Sequence, residues 1–346
     1  MQIPANYVQL EVTSLTLLVY SDMERKMSRS NSAIDVEYRP RYLVMGPGGI
    51  RGFYMLGALS RFNREGILSS VEGYSGSSVG ALISLLTVVG YQPSEICSMA
   101  ADASLFTDFF SARLGEKISE IRENHGLLST DNVRSILERA VVSRLGREPT
   151  LLELYNITGK ELYLTTYNMT LGRTEYLSYR SHPSLSVVTA ALLSMSIPYL
   201  FYQARLNGHL CVDGGLTDPL PIQPFVGRGT ILAIYIKTTI SELPTDSEIA
   251  KLTKRIQKII QAPMAELRDR TIRGADESVK FVELGSTTLD TTGLSSSVID
   301  RAHMYVEGWH TVNSILGAGI RDNTDTIGTS TGIHGITTRT SNNSTK

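Results

Sequence analysis

Residues 42–52 read YLVMGPGGIRG and residues 76–80 read GSSVG. Each glycine-rich stretch follows a short apolar run of strand character and precedes a helical pattern. A Gly-x-Ser-x-Gly sequence in that setting is typical of a nucleophile elbow, a tight strand-to-helix turn that displays a serine hydroxyl. The sequence therefore predicts that Ser78 is a nucleophile at a helix N-terminus, where the helix dipole favours developing negative charge.

The earlier glycine loop supplies consecutive small residues whose backbone N–H groups can converge on an oxyanion. Gly48 and Gly49 are the predicted donors, because Pro47 has no N–H group. Alternatively, such a loop binds phosphate at a helix N-terminus. It lacks, however, the Gly-Lys-Ser/Thr ending of a nucleotide P-loop and the Gly-x-Gly-x-x-Gly spacing of a dinucleotide site. The order of the two motifs favours an oxyanion hole.

A third motif, Asp213-Gly214-Gly215, follows the apolar residues 210–212. A carboxylate at a strand end, followed by two glycines, can approach another loop closely because no side chains intervene. This placement suits a base that faces Ser78. Without the other motifs, an Asp-Gly pair is more typical of a simple turn.

In this order the three motifs resemble those of the patatin-like phospholipases, whose pattern is Gly-Gly-Gly-x-Arg/Lys-Gly, Gly-x-Ser-x-Gly and Asp-Gly-Gly/Ala. Residues 150–163 resemble the helix and strand before the second half of the family's site, and residues 194–201 resemble its Ser-x-x-x-Pro-x-x-Phe segment. The resemblance covers about residues 41–316. Pro47 departs from it by replacing the first glycine. Residues 217–221, TDPLP, stand where the family has Asn-Pro-x-Pro, which makes the loop after the aspartate more acidic.

The resemblance implies that Ser78 and Asp213 form a dyad without histidine and cleave acyl esters of lipids. A free aspartate has a pKa of about 3.9 and is a poor base toward a hydroxyl. Burial must therefore raise the pKa of Asp213, or the oxyanion hole must reduce the basicity required. His209, four residues before Asp213, has poor geometry for a triad.

Arg51 follows the glycine loop at the start of a helix. Its guanidinium is predicted to hold a lipid phosphate or to support the oxyanion by bidentate hydrogen bonds. An ordinary solvated helix arginine is an equal alternative.

Composition agrees with one large hydrolytic domain. The chain has 346 residues, 42% of them apolar, and a net charge of −1, which gives no electrostatic argument for nucleic acid. Two cysteines are too few for a disulfide framework, no metal-ligand spacing appears, and no cofactor is expected. Strand patterns at 42–45, 72–74, 162–167, 175–179, 210–212, 230–237 and 280–284 alternate with helical patterns. They predict an α/β three-layer sandwich with a mainly parallel central sheet flanked by helices.

The predicted organisation is an N-terminal extension and connector over residues 1–40, a catalytic domain over 41–320 and a flexible C-terminal tail over 321–346. Residues 7–20 are too short and too polar to span a bilayer, and no signal peptide is evident. The predicted location is cytoplasmic with peripheral contact to membranes, and export by a non-classical route stays open. A basic amphipathic helix over 246–261, ended by Pro263, either lies on an anionic bilayer or, the favoured alternative, faces the core.

The predicted function is that of a lipid acyl hydrolase, of phospholipase A or lysophospholipase type, which acts through an acyl-enzyme. An acyltransferase or thioesterase that acts on carrier-bound acyl groups would use the same elbow and oxyanion hole. An inactive scaffold of the same fold is the third alternative. The expected partner is a phospholipid or other lipid ester at a membrane surface, and the sequence predicts no oligomeric state.

Overall fold

The computed structural model describes residues 38–102, 125–237, 248–285 and 297–318. Its strands are β1 (Tyr42–Met45), β2 (Gly73–Ser77), β3 (Gly126–Leu128), β4 (Glu161–Asn168), β5 (Arg173–Leu177), β6 (Tyr199–Phe201), β7 (Ala204–Leu206), β8 (His209–Asp213), β9 (Ile231–Ile236) and β10 (Val279–Leu284). Its helices are α1 (Gly52–Arg64), α2 (Val79–Val89), α3 (Pro93–Asp102), α4 (Asp131–Leu145), α5 (Leu151–Thr158), α6 (Val187–Ser194), α7 (Glu248–Gly274) and α8 (Val298–Ala318). The predicted C-terminal tail, and all but the last residues of the predicted N-terminal extension, lie outside the described ranges.

The central sheet is mixed, with mostly parallel strands. Seven strands follow the order β10-β9-β1-β2-β4-β8-β7, and β5 completes an eight-stranded sheet by pairing with β4. From β10 to β4 each neighbouring pair is parallel, whereas β5 and β8 run antiparallel to β4, and β7 runs antiparallel to β8. β3 and β6 form a separate two-stranded ladder. The predicted mainly parallel sheet is therefore confirmed.

Strand β1 shows that the sheet is covered on both faces. Leu43 and Met45 belong to a large buried cluster that includes residues of α1, α2, α4, α6 and α8. Tyr42 and Val44 belong to a second cluster, against which Ile272 of α7 packs. Successive strand side chains point to opposite faces, so all four are buried only because each face has its own cover. This arrangement confirms the three-layer α/β sandwich.

The C-terminal helix α8 closes the larger layer by crossing α1 at very short range. A Cβ atom on Gly57 would lie 1.8 Å from the carbonyl oxygen of Tyr305, and one on Gly308 would lie 2.0 Å from that of Tyr54. The two glycines thus allow the helix backbones to touch. Helix α8 therefore packs directly on α1 and covers this face of the sheet.

Helix α7 corrects one prediction. The helix does not end at Pro263 but runs through it to Gly274, a total of 27 residues. A proline inside a helix removes one backbone hydrogen bond, and here helical turns on both sides continue the element. Despite this length, none of the helices in the described ranges combines the length and apolar composition needed to cross a membrane.

Strand β4 organises the centre of the sheet. One edge of β4 pairs with β5 over Leu164–Asn168. The other edge is shared: β2 pairs with it up to Thr165, and β8 takes over at Thr166 while running in the opposite direction. The C-terminal ends of β2 and β8 therefore meet at the middle of β4. Ser78 and Asp213 lie at those two ends.

Candidate active site

Ser78 lies in the tight turn between β2 and α2. Its backbone has φ 58° and ψ −127°, a region of positive φ that residues other than glycine seldom adopt. A Cβ atom on Gly76 would lie 2.5 Å from the backbone of Gly80, and one on Gly80 would lie 2.3 Å from the carbonyl oxygen of Met45. Both neighbours therefore have to be glycine, as the elbow pattern predicts.

The side chains of Ser78 and Asp213 lie beside each other, and both residues are buried. Burial raises the pKa of Asp213 to about 6, because an ionised carboxylate loses its hydration there. The neighbouring Ser78 hydroxyl and the Gly215 amide, which donates a 2.7 Å hydrogen bond to the carboxylate, lower that pKa in part. A raised pKa is what a carboxylate needs in order to accept a proton from a hydroxyl without a histidine.

The two glycines after Asp213 let its loop lie against two other segments. A Cβ atom on Gly214 would lie 2.2 Å from the carbonyl oxygen of Thr165, and one on Gly215 would lie 3.0 Å from the ring of Pro47. The predicted close approach of this loop to another loop is confirmed. Its neighbour is the glycine loop before α1, so the three motifs meet in one place.

Gly48 and Gly49 lie in that glycine loop, at the start of a 3-10 turn over Gly49–Arg51. Gly49 has φ +54°, and no atom lies within 4 Å of the position where its Cβ would be. Gly48 packs on the helix that follows Ser78, since a Cβ on it would lie 3.6 Å from the side chain of Val79. Within the described ranges, neither glycine amide donates a hydrogen bond. Both N–H groups are thus available beside the elbow.

Arg51 ends the 3-10 turn, occupies the N-cap position of α1 and is half-buried. Its backbone amide donates to the carbonyl oxygen of Gly48 at 3.0 Å, which fixes the shape of the glycine loop. The role of its guanidinium toward a phosphate or an oxyanion stays a prediction.

Sequence reasoning did not assign a role to Ser194 and Ser196, at the end of α6. The Ser78 amide donates to the Ser194 hydroxyl at 3.1 Å, and the Asp213 amide donates to the Ser196 carbonyl oxygen at 2.9 Å. One short segment therefore holds the backbone of both Ser78 and Asp213. The signal was present in the Ser-x-x-x-Pro-x-x-Phe pattern that begins at residue 194.

Asp218 adds a second, half-buried carboxyl close to the site. The Tyr176 hydroxyl donates to this carboxylate at 2.6 Å, and the Leu220 amide also donates to it. The carbonyl oxygen of Asp218 accepts a 2.7 Å hydrogen bond from the hydroxyl of Ser77. Burial raises the pKa of Asp218, and the hydrogen bond from Tyr176 opposes that rise. The main chain of Asp218 thus fixes the side chain of Ser77, the residue before Ser78. The carboxylate of Asp218 is stabilised by the hydroxyl of Tyr176.

His209 begins β8, and its ring nitrogen lies 3.5 Å from the side-chain amide of Asn168. Four residues of extended strand separate His209 from Asp213, a distance of roughly 13 Å. The structure does not bring this histidine to the hydroxyl of Ser78. The ionisable group that lies beside that hydroxyl is the carboxylate of Asp213.

An apolar cavity lies between helices α1, α2, α3 and α4. Its volume is about 680 Å3, part of it open to solvent, and every residue that lines it is apolar. Gly49 and Val79 form part of the wall, as do Phe53, Leu82 and Leu137. The cavity therefore borders both the glycine loop and the residue after Ser78. Such a space accommodates a hydrocarbon chain without leaving a polar group unpaired.

Known proteins with similar sequences include viral and bacterial ones. A probable lipid hydrolase of Invertebrate iridescent virus 6 is 27% identical over 57% of this chain and 68% of the viral protein. An NTE-family protein of Mycobacterium bovis is 25% identical over 58% of this chain but only 49% of its own length. Among solved structures, VipD from Legionella pneumophila is 16% identical, with a TM-score of 0.47 over 81% of this chain and 67% of VipD.

The family profile of patatin-like phospholipases matches residues 43–226, more than half of the chain. The matched segment begins in β1, contains the glycine loop and the Ser78 elbow, and ends after the Asp213 loop. The chain therefore belongs to the patatin-like phospholipase family of lipid hydrolases.

Proposed function

We propose that this protein is a lipid acyl hydrolase of phospholipase A or lysophospholipase type, and that Ser78 and Asp213 are its catalytic dyad. The observation that carries the proposal is that the Ser78 hydroxyl and the Asp213 carboxylate lie beside each other and that both residues are buried. Ser78 also occupies a strained elbow at a helix N-terminus, where an alkoxide is favoured.

In the first half-reaction the Ser78 Oγ atom attacks the ester carbonyl carbon, while the hydroxyl proton passes to the Asp213 carboxylate. The carbonyl oxygen becomes an oxyanion that accepts hydrogen bonds from the amides of Gly48 and Gly49. The first amide of α2, that of Val79, is a third donor, since the residue after the nucleophile serves this purpose in elbows of this kind. The intermediate collapses, and the departing alcohol takes the proton from Asp213.

In the second half-reaction water attacks the acyl-enzyme. Asp213 accepts a proton from the water, the same amides hold the new oxyanion, and the collapse releases a fatty acid while Ser78 regains its proton. Throughout both steps we expect the apolar cavity beside Gly49 and Val79 to hold the acyl chain. A chain seated there fixes the ester against Ser78, which lowers the entropic cost of reaction.

We also propose that Arg51 binds the lipid phosphate and that the enzyme acts at a membrane surface. Arg51 stands at the glycine loop, where a guanidinium can bind a lipid phosphate by paired hydrogen bonds. The substrate class, a phospholipid or other lipid ester, requires the enzyme to work at the surface of a bilayer as a peripheral protein.

The deciding experiment compares wild type with Ser78→Ala on a panel of phospholipids and lysophospholipids, with the products resolved by mass. We expect wild type to release free fatty acid and to react with a fluorophosphonate probe, and Ser78→Ala to do neither. Ser75→Ala is the matched control, since it removes a buried hydroxyl of the same strand that bonds to no other group within the described residues. Release of fatty acid by folded Ser78→Ala at the wild-type rate would end the proposal.

Products also separate hydrolysis from acyl transfer. With an alcohol or thiol acceptor added, a hydrolase still yields mainly free fatty acid, whereas an acyltransferase yields mainly the acylated acceptor.

A further inference from the structure

The turn that joins β4 to β5 is short and exposes two large apolar side chains. Met169 is 51% exposed and Leu171 is 44% exposed, with the exposed Thr170 between them. Single exposed apolar residues are common on proteins, but two within three residues at the end of a hairpin form a local apolar tip. We refer to residues 169–172 as the apolar tip.

The apolar tip is held in one shape by hydrogen bonds to the neighbouring strand β8 and to Asn168 of its own hairpin. The Met169 amide donates to the Leu210 carbonyl oxygen at 2.8 Å, and the Leu210 amide donates to the Thr170 hydroxyl at 2.9 Å. The Leu171 amide donates to the side-chain oxygen of Asn168 at 3.0 Å. The apolar side chains are thus presented on an ordered support, and docking them would cost little conformational entropy.

The position of the apolar tip relates it to the candidate active site. Ser78 follows the C-terminal end of β2, and the tip follows the C-terminal end of β4, which is the parallel neighbour of β2. Both therefore lie at the same edge of the sheet. Asp213 pairs with Thr166 of β4, so Met169 stands three residues, or about 10 Å, farther out than the site.

The exposed charge around the apolar tip is positive. Arg173, whose side chain is 66% exposed, and the exposed Arg205 flank it. The acidic residue next to Arg173 on β5, Glu175, is only 9% exposed at its side chain and pairs with Arg173. Arginines near an apolar tip complement a bilayer that carries anionic lipids, each adding to the attraction at the surface.

From these observations we infer that the apolar tip inserts into the surface of an anionic lipid bilayer and holds the Ser78 edge of the sheet against it. Elements that bind in this way bury their apolar side chains about 5–10 Å into the boundary between headgroups and acyl chains. With the tip at that depth, Ser78 lies level with the outer headgroups. The anionic bilayer is then the membrane partner of the protein, and its role as the source of substrate rests on the proposed function.

The test measures vesicle binding apart from catalysis. Wild type, Met169→Ser/Leu171→Ser and Ile157→Ser are mixed with vesicles of phosphatidylcholine and phosphatidylserine, and the bound fraction is measured by flotation. Ile157 is a matched control because it is 52% exposed but lies on α5, before the N-terminal end of β4, at the opposite edge of the sheet. We expect the double variant to bind about tenfold more weakly than wild type and Ile157→Ser to bind as wild type does.

Hydrolysis of the monodisperse ester p-nitrophenyl butyrate is measured in the same samples, and the double variant should retain the wild-type rate. If wild type binds vesicles but cleaves no ester, the proposed function fails and the docking inference stands. Wild-type binding by the double variant, equal loss in Ile157→Ser, or no binding by wild type would overturn the inference.

A gain-of-signal variant covers the case in which the double variant folds poorly. Leu171→Trp adds an indole at the apolar tip to a chain whose single native tryptophan, Trp309, is buried. Its emission should shift to shorter wavelength when vesicles are added, whereas that of Ile157→Trp should not. The absence of a shift in Leu171→Trp would contradict insertion of the tip.

Discussion

The backbone N–H of Ser78 donates a 3.1 Å hydrogen bond to the hydroxyl of Ser194, and both residues are buried. Two residues later, the Ser196 carbonyl oxygen accepts the amide of Asp213 at 2.9 Å. The end of α6 therefore holds the proposed nucleophile and base by their main chains. Their separation depends on this segment as well as on the two strands that carry them.

Ser194→Ala tests that dependence. The variant leaves the buried amide of Ser78 without its acceptor, which costs roughly 1–3 kcal/mol and allows the elbow to shift. We expect kcat on p-nitrophenyl butyrate to fall about tenfold or more. Ser196→Ala is the control, because its hydroxyl bonds to Leu192 while its carbonyl oxygen still accepts from Asp213. Equal kcat in wild type and folded Ser194→Ala would refute the role.

The pH dependence of kcat/KM tests Asp213 as the base. Burial raises the pKa of Asp213 to about 6, and only the ionised carboxylate can accept the proton of Ser78. We expect kcat/KM for a neutral ester to rise with pH through an apparent pKa of about 6 and then to level off. The pKa of Asp218 is also raised by burial, so Asp218→Asn is the discriminating control. If kcat/KM of Asp218→Asn no longer fell at low pH, the titrating group would be Asp218 and not Asp213.

Asp213→Asn should separate stability from activity. The pKa of Asp213 is raised from 3.8 to about 6, so the folded protein binds more protons than the unfolded chain between these values. The contribution of Asp213 to the free energy of unfolding is therefore fully present below about pH 4 and is lost as the pH rises through about 6. Above that pH the free energy of unfolding is lower by about 3 kcal/mol.

Because asparagine carries no charge to bury, we expect Asp213→Asn to be inactive yet more stable than wild type at neutral pH, with no such advantage near pH 4. Urea unfolding at both pH values measures the difference. A variant equal in stability to wild type at neutral pH would show that the ionised carboxylate carries no burial cost.

Gly80→Ala tests the packing of the elbow. The added Cβ would lie 2.3 Å from the carbonyl oxygen of Met45 and 2.6 Å from that of Gly46, backbone atoms that cannot move aside cheaply. Overpacking of this kind costs typically 1–3 kcal/mol, and we expect the upper end or more. Gly274→Ala, where nothing lies within 4 Å, should unfold at nearly the wild-type urea concentration. Equal midpoints for the two variants would contradict the close packing.

Leu82→Trp tests the apolar cavity as an acyl-chain site. Leu82 lies on α2 and lines the cavity, so an indole there should occupy space that a long chain needs. We expect activity on long-chain esters to fall at least tenfold while activity on butyrate esters changes little. Leu152→Trp, on the exposed side of α5, should leave both activities unchanged. A uniform loss on short and long esters in Leu82→Trp would place the acyl chain elsewhere.

Much of the fold was predictable from the sequence, because strands that are covered on both faces of the sheet are runs of apolar residues. The run of residues 42–45 was predicted with its observed bounds, because every side chain in it is apolar and buried. β2 was predicted too short, as residues 72–74, whereas it extends to Ser77. Its sequence, GYSGS, lacks the β-branched residues that mark a strand, and its burial arises from neighbouring strands rather than from its own side chains.

The site was predictable in its residue types but less so in its support. Glycine patterns predicted that Ser78, Gly48 and Asp213 belong to one site, and the three motifs lie together in the structure. The sharing of one β4 edge by two opposed strands depends on register, which no local pattern encodes. The role of Ser194 likewise depends on a contact with a residue far away in sequence.

The meeting of β2 and β8 on β4 has a consequence for biosynthesis. A growing chain that has emerged only as far as β4 already contains the serine, but the carboxylate that would activate it has not yet been translated. Hydrolytic competence on the proposed mechanism therefore begins only after β8 has been made and has paired with Thr166. Incomplete chains that are released before β8 would therefore carry the serine without the proposed base.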